Sequence, residues 1–110
     1  MNKIENGNLT SEPQKKYFIL NYKLIPDILN ARIPFKEEHM SILNELSSRG
    51  LVFVGWEVVE GFPAMFMFES ENDDIIKEWL KRDPYFNNGL VAEYHYNQII
   101  LVAGNILNQK

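Results

Sequence analysis

The 110-residue sequence predicts an α+β domain of βαββαβ order, and three observations carry that expectation. Aromatic and branched runs at Tyr17 to Tyr22, Leu51 to Trp56, Ala64 to Phe68 and Leu90 to Val102 have strand character. Two intervening segments instead repeat their apolar residues at helical spacing. Proline, glycine and asparagine stand where one pattern gives way to the other.

Taken in order, residues 1–14 are polar, rich in Asn and Glu, and contain Pro13, which predicts a disordered arm ahead of a domain spanning residues 15–110. Tyr17 to Tyr22 is apolar on both parities, as in a strand covered on both faces. Between Pro26 and Pro34 the pattern is ambiguous and allows a short turn of helix. From Pro34 to Arg49, Phe35, His39, Ile42, Leu43 and Leu46 fall on one helical face. Pro34 suits its first turn, Glu37 and Glu38 its positive end, and Gly50 a left-handed stop.

Leu51 to Trp56 and Ala64 to Phe68 pair as a hairpin through a turn at Gly61. Ser70 and Asp73 have capping-box spacing. Ile75, Ile76, Trp79 and Leu80 then form the buried stripe of a second helix, which Asp83 and Pro84 end. Asn87, Asn88 and Gly89 mark a turn. In the last strand Glu93, His95 and Asn97 alternate with Ala92, Tyr94 and Tyr96, so half of it should face solvent or a cavity.

This order is the split βαβ, or ferredoxin-like, arrangement: a four-stranded antiparallel sheet with two helices on one face. Two helices cover one face only, yet three strands are apolar on both parities. A second copy packing sheet against sheet is the simplest cover, so a homodimer is expected.

Composition narrows the function classes. Hydrophobic residues make up 45% of the chain, enough to build a core, and cysteine is absent. That removes disulfides, thiolate metal sites and cysteine nucleophiles, and suits a cytoplasmic protein. The longest apolar runs fall far short of the roughly 20 residues that span a bilayer, and no secretory signal opens the chain. A net charge of −4 leaves no field for a phosphate backbone, so neither nucleic acid nor membrane is an expected partner. Two histidines without paired spacing argue against a metal site, and no glycine-rich loop or nucleophile elbow argues for a nucleotide cofactor or serine catalysis. No cofactor is expected.

The residues left for chemistry are His39 and Asp83. His39 is the one polar member of an apolar helix face, either a core histidine bonded to backbone or a working base. Asp83 sits at the negative end of a helix, where a carboxylate wants a partner; the alternative is an exposed loop acid. Two helices side by side on one sheet face can bring the pair together. A carboxylate accepting from one ring nitrogen fixes the tautomer and leaves the other to move a proton. Trp56 and Tyr85 are candidates to stack on a planar ligand, or core aromatics. His95 reads as a surface or cavity residue.

Arg32 seven residues before His39, the run Glu37-Glu38-His39-Met40, Gly55, and Asp83-Pro84-Tyr85 with Gly89 and Leu90 together resemble the YciI-like family, or YCII-related domain, over about Lys15 to Tyr96. The resemblance implies a dimeric α+β barrel related to muconolactone isomerase, with His39 and Asp83 as the catalytic pair. It also implies that Arg32 either binds an acidic substrate or pairs with a surface carboxylate. Trp56 stands where the family commonly has proline. The apolar tail Ile99 to Ala103 runs past the expected end of the core, either extending the dimer interface or closing over the pocket.

The expected function is small-molecule acid/base chemistry of the isomerase or lyase (dehydrochlorinase) type on a cyclic or acidic compound. The alternative is a non-catalytic dimeric module that binds a small ligand in the same pocket.

Overall fold

The structure is a computed structural model that describes residues 16–57, 64–100 and 102–103, with the side chains of 53–57 outside the description. The expected N-terminal arm, the turn at Gly61 and the side chain of Trp56 therefore lie outside the described residues.

The elements run β1 (Lys16–Leu24), α1 (Ile28–Ala31), α2 (Lys36–Ser48), β2 (Val52–Glu57), β3 (Ala64–Ser70), α3 (Asp74–Arg82), α4 (Pro84–Asn87) and β4 (Val91–Ile99). The strands form one four-stranded sheet of order β2-β3-β1-β4, and every pairing is antiparallel. With the long helices α2 and α3 in the two crossovers, this is the ferredoxin-like order the sequence predicts.

Strand parity decides the two faces. In β1 the even positions Phe18, Leu20, Tyr22 and Leu24 are buried, and across the ladder so are Ala64, Phe66 and Phe68 of β3. Against this face pack Ile42 and Leu46 of α2 and Ile75, Ile76 and Trp79 of α3, with Ile28 of α1 closing one end. The odd positions Ile19 and Asn21, and Met65 and Met67 opposite them, are only half-buried in the single chain.

Both long turns after helices use glycine at positive φ. Gly50 has φ 77° and Gly89 has φ 78°. Each stands between a carbonyl–amide pair that closes the helix end, Leu51 N–H to the Leu46 carbonyl and Leu90 N–H to the Tyr85 carbonyl, both at 3.0 Å. This six-to-one bond with a left-handed residue inside it is the Schellman arrangement, and a residue with a Cβ would be strained there.

Several expectations are corrected. The ambiguous segment after Pro26 forms the one-turn α1. Helix α2 starts at Lys36 rather than Pro34, because Phe35 is its N-cap. Asp73 caps α3 without a side-chain cap bond; its carboxylate instead accepts from Tyr96 Oη at 2.7 Å. Pro84 does not simply end the second helix. It opens α4 at the first-turn position, where its missing N–H costs nothing. The edge strand β4 is exposed on both parities from Ala92 to His95, not on one.

Candidate functional site

The Asp83-Pro84-Tyr85 segment shapes the site. Proline excludes the helical region for the residue before it, and Asp83 accordingly leaves α3 in extended conformation at φ −70°, ψ 114°. That bend turns its carboxylate back over the first turn of α4, where Oδ1 accepts from the Tyr85 backbone N–H at 3.0 Å. Asp83 thus closes one helix and caps the next. In sequence Asp83 stands only at an unfavourable negative helix end; the positive end of α4 supplies the missing half of its environment.

The carboxylate is fully buried and satisfied by three donors. Besides Tyr85 N–H, Oδ2 accepts from the Tyr22 hydroxyl at 2.7 Å, and Oδ1 lies 2.7 Å from Nδ1 of His39. An acceptor-only carboxylate with this many donors is held in one orientation, and stranding any of them in the core costs about 1–3 kcal/mol. Since Asp83 accepts, Nδ1 of His39 carries the hydrogen.

His39 projects from α2 on the same inner face as Ile42 and Leu46. Its ring is stacked on Tyr85 with centroids 3.8 Å apart and planes 7° apart. Trp79 meets it edge to face at 5.2 Å and Phe66 at 6.2 Å. The imidazole therefore has its plane fixed by aromatic walls and its Nδ1 fixed by Asp83. Among the described residues nothing hydrogen-bonds to Nε2, yet the sealed side-chain polar atom without a partner is Trp79 Nε1, not Nε2. The residue's 6% accessibility thus includes the free ring nitrogen.

Tyr22 holds its proton far above the ordinary tyrosine value. Burial is the main cause, followed by the charge of Asp83 and the hydrogen bond to it. Trp79 opposes that rise from near the phenol oxygen, although its indole N–H is not in hydrogen-bonding geometry with any described acceptor.

Of the five residues nominated from the sequence, the structure brings three together: His39, Asp83 and Tyr85. Tyr85 stacks on the histidine itself, which occupies that ring face. Arg32 is the half-buried C-cap of α1 and has a partner of its own. Trp56 pairs through its backbone with Met65, while its side chain lies outside the described residues. His95 is exposed on β4 and pairs with Asn21, on the strand parity opposite to Tyr22.

Sequence reasoning missed Tyr22. The available signal was its parity: it follows Phe18 and Leu20 at steps of two on the inward face of β1, and a tyrosine there needs a buried acceptor for its hydroxyl. Among the described residues no group of three or more His, Asp or Glu is placed to hold a metal ion, and no helix is long and apolar enough to cross a membrane.

The fold is shared with solved structures. A 5-chloro-2-hydroxyhydroquinone dehydrochlorinase from Burkholderia phenoliruptrix, determined with 2,5-dihydroxybenzoquinone, aligns at TM-score 0.63 and 21% identity over 74% of this chain and 90% of that one. A Pseudomonas aeruginosa protein aligns at TM-score 0.56 and 10% identity over 84% and 100%. A NIPSNAP family protein from Agrobacterium tumefaciens aligns at TM-score 0.55 and 11% identity over 81% and 94%. At these identities the likeness concerns the α+β fold. No curated protein sequence matches the chain. The sequence profile of the YCII-related domain matches residues 16–100, and the chain belongs to that family.

Proposed function

We propose that this protein is a small-molecule enzyme in which His39, oriented by Asp83, performs general acid/base chemistry of the isomerase or dehydrochlorinase type. The observation that carries the reading is the 2.7 Å contact between Nδ1 and the buried carboxylate, with Nε2 left free. Nε2 takes a proton from a hydroxyl, or from a carbon next to a carbonyl, of a cyclic or acidic compound. Asp83 balances the positive charge that the ring then carries. Return of the proton at another carbon gives isomerisation; departure of chloride, with its electron pair, gives elimination. The dehydrochlorinase among the structural relatives supports the second outcome. The substrate-facing roles of Arg32, Trp56 and Tyr85 belong to the same proposal, with Tyr85 acting through its stack on His39.

The working unit in this reading is a cytoplasmic homodimer. Its support is the half-buried apolar side of the sheet, where Ile19, Met65 and Met67 lie, and the absence of cysteine.

The test is turnover on a panel of chlorinated hydroquinones and cyclic keto acids, read as chloride release and product formation. His39→Ala and Asp83→Asn should each lose on the order of 10²-fold or more in kcat while remaining folded. Unchanged turnover in both would sink the proposal. A second reading, a ligand-binding module whose polar pair fixes the helix packing, draws on the 6% accessibility of His39. Under it Asp83→Asn lowers stability and affinity, and no member of the panel is converted.

A further inference from the structure

The geometry points to Tyr22 as a positioning residue for His39, holding Asp83 as a pure acceptor so that the imidazole keeps its hydrogen on Nδ1 and presents an open Nε2. The inference rests on the reading of His39 as the proton-handling group and adds a residue from a different element, the central strand β1.

Three features carry it. First, Tyr22 and His39 use different oxygens of one carboxylate, Oδ2 and Oδ1, at the same 2.7 Å distance. The two bonds therefore fix the carboxylate plane from opposite ends, and Tyr85 N–H secures the Oδ1 side at 3.0 Å. Second, Tyr22 is 1% exposed and Asp83 is fully buried, so the phenol stands where bulk solvent does not reach Oδ2 in the folded chain. Third, the phenol is itself fixed, with its ring edge-to-face against Phe66 at 5.2 Å. Its strongly raised affinity for its proton keeps it a donor and bars it from relaying a proton. It orients; it does not react.

The alternative states that Tyr22 excludes are chemically defined. Without the phenol, Oδ2 is a buried carboxylate oxygen with no donor. The carboxylate then turns, or takes up and keeps a proton through which it donates a hydrogen bond to Nδ1. In the second case the hydrogen of the neutral ring moves to Nε2, and the base is lost.

This is testable without a substrate. Nitrogen-15 NMR of the imidazole, in a His95→Gln background that leaves His39 as the sole histidine, reports the tautomer directly. The parent should show the Nδ1–H form. Tyr22→Phe should raise the ratio of Nε2–H to Nδ1–H about fivefold, the equivalent of one lost hydrogen bond. A folded Tyr22→Phe protein with the parent's tautomer ratio and ring titration would overturn the inference, since loss of packing alone leaves both unchanged. If Tyr22→Phe does not fold, 3-fluorotyrosine at position 22 serves instead. Its more acidic phenol binds Oδ2 more tightly, holds the carboxylate more firmly as an acceptor and should lower the ratio of Nε2–H to Nδ1–H; an unmoved ratio overturns the inference equally. Loss of turnover in His39→Ala together with an unaltered tautomer in the Tyr22 variant would reject the role of Tyr22 and leave the acid/base reading standing.

Discussion

At the scale of residues, the structure concentrates its polar commitment in one place. Asp83 is the sole fully buried acid among the described residues, and each of its donors comes from a different element: β1, α2 and α4. Tyr22 gives this arrangement a signature at high pH. Its folded-state proton affinity lies above the ordinary tyrosine value of 10.0, so the unfolded chain releases the proton first. The stabilisation is fully present below pH 10 and declines as pH rises beyond it, by about 1.4 kcal/mol per pH unit for one proton. Urea midpoints should hold from pH 9 to about pH 10 and fall from there to pH 11, and Tyr22→Phe should flatten that fall. Equal slopes in the two proteins would show that Tyr22 does not hold its proton more firmly when folded.

The elements that carry His39 and Asp83 are also tied at their outer seam. Arg82, next to Asp83, bonds Glu45 on α2 and Glu78 on α3, while Arg49 reaches from the end of α2 to Glu78 at 3.0 Å. The bond from Arg82 lowers the pKa of Glu45, and the bond from Arg49 lowers that of Glu78. Groups whose folded-state pKa is lowered stabilise above the unfolded carboxylate value and lose that contribution as pH falls through the folded one. These side chains are half-buried to exposed and solvent-screened, so the effect is modest and salt-sensitive. Arg82→Gln should lower the urea midpoint at pH 6 in low salt. The gap from the parent should narrow at pH 3 and in concentrated salt, and a gap constant across those conditions would assign Arg82 to packing instead.

The same elements show what was legible beforehand. The apolar steps through His39, Ile42 and Leu46 placed the histidine inward, and Gly50 and Gly89 marked their turns, because local periodicity and positive φ leave direct traces in sequence. The fourfold meeting at Asp83 left less trace. Tyr22 lies 61 positions away from it, and its role depends on which strand becomes central. Asp83 capping a one-turn helix was hidden for another reason: Pro84 reads equally as the end of one helix or the start of the next.

At the scale of the whole molecule, one sheet surface has no cover among the described residues. Ile19 and Met67 face each other across the β1–β3 ladder at half-burial, and beyond β4 the tail residues Ile100 and Val102 are 80% and 84% exposed. Association through this face is the expected remedy, since apolar patches of this kind mark interfaces. Sedimentation equilibrium should give twice the chain mass, and Ile19→Lys should return it to one while the helix-side core stays folded. A monomeric parent would remove the dimer from the account. The site needs no such partner for the contacts described: the buried carboxylate and the stacked imidazole are both built within one chain. The proposed chemistry requires above all that Nε2 of His39, which has no partner among the described residues, lie within reach of a small molecule. Diethyl pyrocarbonate at neutral pH, followed by mass spectrometry, tests this most directly. Both His39 and the exposed His95 should be acylated in the folded protein; acylation of His95 with His39 untouched until the chain is unfolded would rule out the proposed role of His39.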